Sequence, residues 1–256
     1  VTIGPRHSEL FTSAPQRYTF LGTNDWMNLL VSHEYRHIVQ YAHSNTGITK
    51  FFKIIFGQYT QAALTNLAVP NWFLEGDATL TETVFTKSGR GRMPDFNRTF
   101  RANLLEGKSY KYDKQYLGSY KDFVPNVYVL GYHFVSHVRR NSDNNSIWSD
   151  ITKRAFSRAV FPFAFSNSLK LHTGRNVKQN YSDMLNELKE LWSNQIDHLE
   201  LTSFETVNHR KNNVYTDYSN PMPMENGKIL CLKSGVGSVQ QFVVIDDQGK
   251  EKVVHT

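Results

Sequence analysis

The hydrophobic positions over roughly the first 200 residues recur at intervals of three and four, which is typical of helices that bury one face. The clearest run begins near Trp26 and continues to about Ser44. Potential N-cap residues at positions 23–25 precede it, and Gly47 follows it as the expected stop. We therefore predict one long amphipathic helix in this region.

Five further stretches carry the same helical spacing. They are 49–67, read as one helix or as two helices broken near Gly57, and then 71–85, 127–140, 147–160 and 181–199. The segment 86–126 contains glycine, proline and many tyrosine and lysine residues, which predicts irregular chain with short helical pieces. Residues 1–24 predict loop with at most one or two strands, one of them near 18–21.

The pattern changes after residue 201, where short alternating runs are separated by turn residues such as the Asn-Pro pair at 220–221. We predict four strands, near 206–209, 228–233, 239–245 and 251–255. Such a meander resembles one blade of a β-propeller of the TolB-like kind. A propeller needs about 4 to 8 blades, so further blades are expected if the chain is a fragment. The predicted fold is mainly α, with a helical domain at 1–201 and a small antiparallel β appendage at 202–256.

Composition indicates a globular chain and excludes some classes of partner. Hydrophobic residues make up 39% of the sequence and aromatic residues 13%, which excludes a disordered chain. No stretch approaches the roughly 20 uninterrupted apolar residues of a membrane span, so we predict no transmembrane segment. The net charge is +6, but the basic residues are scattered and no nucleic-acid-binding motif accompanies them, so we predict no nucleic-acid partner. Cys231 is the single cysteine, which excludes an intrachain disulfide.

The first predicted helix contains His33, Glu34 and His37 in the order H-E-x-x-H. Residues four apart lie one above the other on a helix, so both imidazoles can point to one place, with Glu34 about 100° round the helix at its edge. A catalytic Zn²⁺ ion takes three protein ligands of this chemistry and one water, for which Glu34 is the expected base. A random chain of this composition would contain the pattern only about 0.02 times, so chance explains it poorly.

The predicted helix at 71–85 supplies acids for the same centre. Glu75 and Glu82 share a face of this helix, and Glu75 follows the apolar sequence Trp-Phe-Leu. A carboxylate beside such residues is costly unless it binds a cation or hydrogen-bond donors, which makes Glu75 the candidate third ligand for one zinc ion. Glu82 could accept the free N–H of a ligating histidine and so fix its tautomer. The alternative is that both are ordinary acids on a helix surface.

Together the segments H-E-Y-R-H and N-W-F-L-E-G-D-A resemble the gluzincin metallopeptidases, in particular their aminopeptidase branch. In that branch H-E-x-x-H is followed by W-L-x-E-G-x-A. The resemblance implies that the Glu of E-G, here Glu75, is the third zinc ligand, and that Glu82 matches a Glu seven positions later. The separation between His37 and Glu75 is 38 positions, longer than in the family, and the apolar segment 51–67 accounts for the extra residues.

The resemblance also implies a thermolysin-like helical domain that hydrolyses peptide bonds, with a peptide or protein substrate and a periplasmic or extracellular location. The segment V-Y-V-L-G-Y is similar to the P-Y-E-K-G segment of the aminopeptidases, although the proline and the E-K pair are replaced. Alignment on the glycine gives the oxyanion-binding role to Tyr128, with Tyr132 in reserve. A tyrosine hydroxyl suits a developing oxyanion, and packing is its alternative role.

Other interpretations are open at the level of sequence. His133 and His137 are also four apart, but no acid lies between them, so we interpret them as histidines satisfied by their neighbours. Arg90 and Arg92 lie in a glycine-rich loop that is either a solvated turn or a contact for a substrate carboxylate. The domain as a whole could instead be a catalytically inactive scaffold, or a binder of nucleic acid or an anionic surface.

Overall fold

The structure is a computed structural model of the 256-residue chain and describes residues 2–4, 7–9, 26–87, 89–207, 214–236 and 238–256. The helices are α1 (Trp26–His43), α2 (Gly47–Phe56), α3 (Gln58–Ala68), α4 (Asn71–Phe85), α5 (Pro94–Leu105), α6 (Tyr112–Leu117), α7 (Val127–Arg140), α8 (Ile147–Ser157), α9 (Ala164–Thr173) and α10 (Val177–Asp197). The strands are β1 (Thr2–Gly4), β2 (His7–Glu9), β3 (Thr216–Pro223), β4 (Ile229–Gly235), β5 (Ser238–Ile245) and β6 (Glu251–His255). A 3₁₀ turn covers Arg90–Arg92.

The chain divides into two compact units. A helical unit comprises Val1–Tyr116 and Pro125–Asn194, and a sheet unit comprises Leu117–Val124 and Gln195–Thr256. The protein is therefore mainly helical, with a small four-stranded antiparallel sheet near its C-terminus, as the sequence predicts.

Most helices lie where the hydrophobic spacing predicts them. The segment 49–67 is a pair of helices, α2 and α3, separated by Gly57, whose φ of 84° is a left-handed conformation that favours glycine. The expectation that Gly47 ends the first helix was wrong. Helix α1 already ends at His43, and Gly47 is the first residue of α2. The sequence interpretation also missed α9, which has 10 residues and buries few apolar side chains, so its periodic signal is weak.

The helical unit is centred on the contact between α4 and α7. The ring of Trp72 stacks on that of Phe134, with centroids 4.4 Å apart and planes 3° from parallel. One turn along, Gly76 faces Gly131 so closely that a Cβ added at Gly76 would lie 2.1 Å from the carbonyl carbon of Gly131. Only glycine allows two helices to approach at this distance.

A shared core surrounds this contact and is built from aromatic and aliphatic side chains of α4, α7, α8, α9 and α10. Its buried members include Trp72, Phe73, Leu130, Phe134, Val135, Ile151, Phe156, Leu169, Met184 and Leu188. The indole N–H groups are satisfied, since Trp148 donates to the carbonyl of Val135 and Trp72 donates to the hydroxyl of Tyr112.

The sheet unit contains an antiparallel meander in the order β3, β4, β5 and β6. The last three strands lie close to the predicted positions. The first predicted strand was 206–209. Residues 206 and 207 are not in a strand, so the prediction was wrong there, and 208 and 209 lie outside the described residues. The first strand is instead β3, and the Asn-Pro pair that predicts a turn lies inside it as a bulge, with Asn220 at a φ of 52°.

No helix in the described part of the chain combines the length and the apolar character needed to cross a membrane. The expected strand near 18–21 and the expected N-cap at 23–25 lie outside the described residues.

The close approach of α4 and α7 makes a direct prediction for Gly131→Ala. Alanine is preferred to glycine within a helix by about 1 kcal/mol, so propensity alone would stabilise the variant. The added methyl group would instead lie 1.8 Å from the Trp72 carbonyl oxygen, and we expect overpacking to cost about 1–3 kcal/mol or more. The urea midpoint of unfolding should therefore fall.

Ser136→Ala on the same helix is the matched control. The Ser136 hydroxyl is buried and has no hydrogen-bond partner among the described residues, so its removal should leave the midpoint unchanged or raise it. An unchanged midpoint for Gly131→Ala would contradict the interhelical contact.

Candidate metal centre

The helices α1 and α4 bring His33, His37 and Glu75 together. The Nε2 atoms of the two histidines are 3.3 Å apart. Oε2 of Glu75 lies 3.2 Å from Nε2 of His33 and 3.5 Å from Nε2 of His37. Both imidazoles are buried, whereas the Glu75 side chain keeps a fifth of its surface exposed, so the group opens towards solvent on the Glu75 side.

These three distances fit the ligand set of a zinc ion. Zinc lies about 2.0–2.1 Å from nitrogen and oxygen ligands in a tetrahedron, whose edges are then roughly 3.3–3.4 Å. The observed triangle has nearly these edges without any movement of the side chains. Three ligands leave a fourth tetrahedral position for water or substrate.

A chain of hydrogen bonds fixes the tautomer of His37. The side-chain amide of Gln40 donates from Nε2 to the Leu74 carbonyl at 3.0 Å and to Asp77 Oδ2 at 2.7 Å. Both amide hydrogens are thereby used, so Gln40 Oε1 faces Nδ1 of His37 at 2.8 Å as an acceptor. His37 must therefore carry its proton on Nδ1, which leaves the Nε2 lone pair free for a metal.

The carboxylate of Asp77 is itself held by Arg36. The guanidinium donates from Nε to Oδ2 at 2.7 Å and from Nη2 to Oδ1 at 3.0 Å, a two-point contact across α1 and α4. Asp77 is buried, and this pairing compensates its charge. The orientation of His37 thus depends on a network that includes both helices.

The second histidine is oriented by Glu82 and Arg90. Oε2 of Glu82 accepts from His33 Nδ1 at 2.9 Å and from Arg90 Nη2 at 2.8 Å, while Oε1 accepts from Arg90 Nε at 2.6 Å. Burial raises the pKa of Glu82, but hydrogen bonds from Arg90 and His33 outweigh burial and hold it below its ordinary value. Nη2 of Arg90, which can only donate, also lies 2.8 Å from His33 Nδ1. When the proton of His33 is on Nδ1 and donated to Glu82, Nε2 of His33 is free to bind a metal.

The glycines of the loop after α4 let the loop pack closely enough for the Arg90 side chain to be buried. A Cβ on Gly89 would lie 2.1 Å from Cα of Thr83, and one on Gly91 would lie 2.3 Å from the Tyr132 ring. Arg90 is buried, so the interpretation of this residue as part of a solvated turn was wrong. Arg92 donates to the Thr83 carbonyl from Nη2 at 2.9 Å and holds the loop against α4.

Glu34 is buried beside the two histidines on α1, and its Oε2 atom has no hydrogen-bond partner among the described residues. A buried polar atom without a partner is rare and costly, and it marks a place where a donor is expected. A water in the fourth ligand position of the metal would be such a donor.

Tyr128 at the start of α7 lies close to the same centre. Its ring centroid is 6.1 Å from that of His33, and the Arg90 guanidinium carbon lies 4.8 Å from its centroid. Burial and the carboxylates of Glu75 and Glu34 raise the pKa of Tyr128, so its hydroxyl keeps its proton and can donate. The reserve candidate, Tyr132, packs instead against Phe96 and the Gly91 loop.

Neighbouring side chains favour the ionised form of Glu75. Burial raises its pKa, but hydrogen bonds from His33 and His37, which Nε2 donates when the imidazoles are protonated, outweigh this and lower it to about 2. Burial lowers the pKa of His33, and hydrogen bonds to Glu75 and Glu82 more than offset it, which raises the pKa above the ordinary value of 6.5. Protonation of an imidazole, not of the carboxylate, is therefore the acid-sensitive step in this group.

The other histidines singled out in the sequence have different partners. Nε2 of His133 lies 2.8 Å from Oδ1 of Asn97, and Nδ1 of His137 donates to Glu187. The two rings therefore contact different residues and do not share a ligand position. His43, at the end of α1, contacts the Ser149 carbonyl at 3.1 Å and not His33, His37 or Glu75.

Sequence reasoning named the three candidate ligands and also pointed to Glu34, Glu82 and Tyr128. It missed Gln40, Asp77 and the role of Arg90. A signal for Gln40 was present, since it follows His37 by three positions and so shares its helix face. No local pattern indicated Arg90, because its partner Glu82 lies on another element.

Comparisons with models of known protein families, with curated proteins and with solved structures give no match to this chain. The function has to be inferred from the chain's own side chains.

Glu82→Gln tests the orientation of His33. The amide would lose the ion pair with Arg90 and the strong acceptor for the imidazole N–H, and such changes typically lower metal affinity about 10–100-fold. Competition with a chromogenic chelator would measure zinc affinity, and circular dichroism would check folding. Glu187→Gln removes a similar acid–histidine contact at His137 and should leave zinc affinity unchanged. Equal affinities for Glu82→Gln and the parent protein would refute the orienting role.

Zinc affinity should also depend on pH in a defined way. Because the pKa of His33 is raised, protons should begin to compete with zinc at a pH above 6.5, and affinity should fall further as the pH decreases. Glu75 should contribute no inflection until the pH approaches about 2. Chelator competition between about pH 5 and 8 would measure this, and an affinity independent of pH over that range would contradict the histidine ligands.

Proposed function

We propose that the chain is a zinc-dependent peptidase of the gluzincin type, with His33, His37 and Glu75 as the metal ligands. The observation that carries the proposal is the triangle of Nε2, Nε2 and Oε2 atoms with edges of 3.2–3.5 Å. The orientation of both imidazoles also supports the proposal, since an acceptor lies beside each Nδ1 atom.

The base in the proposed reaction is Glu34. A bound zinc ion would lower the pKa of a water to about 7 and polarise the scissile carbonyl. Glu34 would accept the proton of the attacking water as the water oxygen bonds to the carbonyl carbon, and its unpartnered Oε2 atom is available for this. The carbonyl π electrons move to oxygen, which becomes negatively charged.

The hydroxyl of Tyr128 is the proposed donor to that oxyanion. Its raised pKa keeps the proton on the phenol, so it stabilises the charge by hydrogen bonding rather than by proton transfer. Glu34 then gives its proton to the departing amine nitrogen as the C–N bond breaks. The carboxyl and amine products leave Glu34 ionised again.

The alternative is a scaffold that binds zinc without turnover. The chain retains each of the residues that the reaction needs, which favours the enzyme. The two interpretations agree on metal content and differ only in hydrolysis, so both have to be measured on one preparation.

The decisive variant is Glu34→Gln. Loss of general-base catalysis typically costs about 10²–10⁴-fold in rate, so we expect at least that loss of cleavage with the zinc content unchanged. Metal content would be measured by mass spectrometry, and cleavage with a library of quenched fluorogenic peptides that have free or blocked N-termini. His37→Ala should lose zinc and activity together.

Glu187→Gln, outside the centre, should retain both zinc and activity. A parent protein that binds one zinc ion but cleaves no peptide would favour the scaffold. Retained turnover in Glu34→Gln would remove that residue from the chemistry, and a parent protein without affinity for zinc would overturn the proposal altogether.

A further inference from the structure

The helix α2 presents its apolar side to solvent. Its fully buried side chain is the polar Thr49, whereas Phe51, Ile54 and Ile55, at spacings of three and four, form the outward face. Helices on the surface of a globular domain normally show the reverse arrangement. The inversion therefore requires an explanation.

Specific contacts hold α2 in this orientation. The hydroxyl of Thr49 donates to the Phe156 carbonyl at 2.7 Å. Gly47, with a φ of +49°, packs so tightly on α8 that a Cβ would lie 2.5 Å from Cα of Ser157. Rotation of α2 to bury its phenylalanine and isoleucine side chains would break both contacts.

The exposed apolar surface continues around the turn into α3. Gly57 separates the helices and has open space around it, and the flanking Phe56 and Tyr59 also face solvent. We call Phe51, Ile54, Ile55, Phe56 and Tyr59 the hairpin face. These side chains are 54–87% exposed, so they form an apolar patch of a kind that marks an interaction site.

The charged side chains of the hairpin itself are all basic. Helices α2 and α3 contain no Asp or Glu, and their two charged residues are Lys50 and Lys53. Lys50 is exposed and precedes Phe51 at the edge of the apolar sector, and the stem of Lys53 reaches back so that its ammonium contacts Asn45 at 3.2 Å. An anionic partner would complement this surface.

An apolar face bordered by lysine is the pattern of helices that lie in the interface of a membrane with anionic lipids. The aromatic and aliphatic side chains enter the boundary between headgroups and acyl chains, and the lysines contact the headgroups. A second copy of the chain docked face to face would place like charges opposite each other, which is unfavourable. The 10 residues of α2 are also far short of the roughly 20 needed to span a bilayer, so the helix would lie along the surface.

We propose that the hairpin face docks reversibly in the surface of a membrane that contains anionic lipids. The inference does not depend on the peptidase proposal, because none of its residues belongs to the candidate metal centre.

Vesicle flotation with the full chain tests the docking. Vesicles of phosphatidylcholine with phosphatidylglycerol should carry the protein, vesicles of phosphatidylcholine alone should carry much less, and added salt should weaken binding. Ile54→Ser combined with Phe56→Ser should lower the partition coefficient by about tenfold or more, and Lys50→Gln should lower it specifically for anionic vesicles.

Phe85→Ser is the matched control, since Phe85 is 79% exposed at the end of α4, outside the hairpin face. It should bind vesicles like the parent protein, and circular dichroism should confirm that every variant is folded. Absence of binding by the parent, or equal binding by the hairpin variants, would overturn the proposal. Concentration-dependent dimers that Ile54→Ser abolishes would instead assign the face to a second copy and overturn the lipid assignment.

Discussion

The backbone contact between α4 and α7 is the constraint on which the candidate centre depends. Gly76 directly follows Glu75, and Gly131 lies three residues after Tyr128. When the two glycines meet, the carboxylate and the phenol are brought to the same end of the interface, opposite the histidines of α1. The glycines in the two sequence segments thus have a packing role that explains their positions next to the chemically active side chains.

The two histidines are oriented by different chemical means. A neutral amide fixes His37, and this amide is itself oriented because both of its hydrogens are already used. An ionised carboxylate fixes His33, and it remains ionised because it is paired with a buried guanidinium. With the proton of each ring on Nδ1, both arrangements turn Nε2 towards Glu75, which is the orientation that the proposed metal ligands need.

The sequence predicts the parts of the structure that depend on local periodicity or on a compact motif. The helices α1, α4 and α7 have strong apolar spacing, and H-E-x-x-H and E-G are short enough to recognise. The Arg90 contact is different, because it depends on how closely two glycines let a loop approach α4, which no periodicity records. The Asn-Pro pair misled the strand assignment because the same residues serve a turn or a bulge, and only the pairing with β4 distinguishes the two.

The arginine contacts also set the charge of the centre. Four carboxylates converge on α1 and α4, from Glu34, Glu75, Asp77 and Glu82, and two of them are neutralised by Arg36 and Arg90. When ionised, the remaining two leave a local charge of minus two, which a divalent cation would balance. A divalent cation in the proposed site would therefore leave this group of carboxylates and arginines with no net charge, whereas a monovalent ion would leave one negative charge uncompensated.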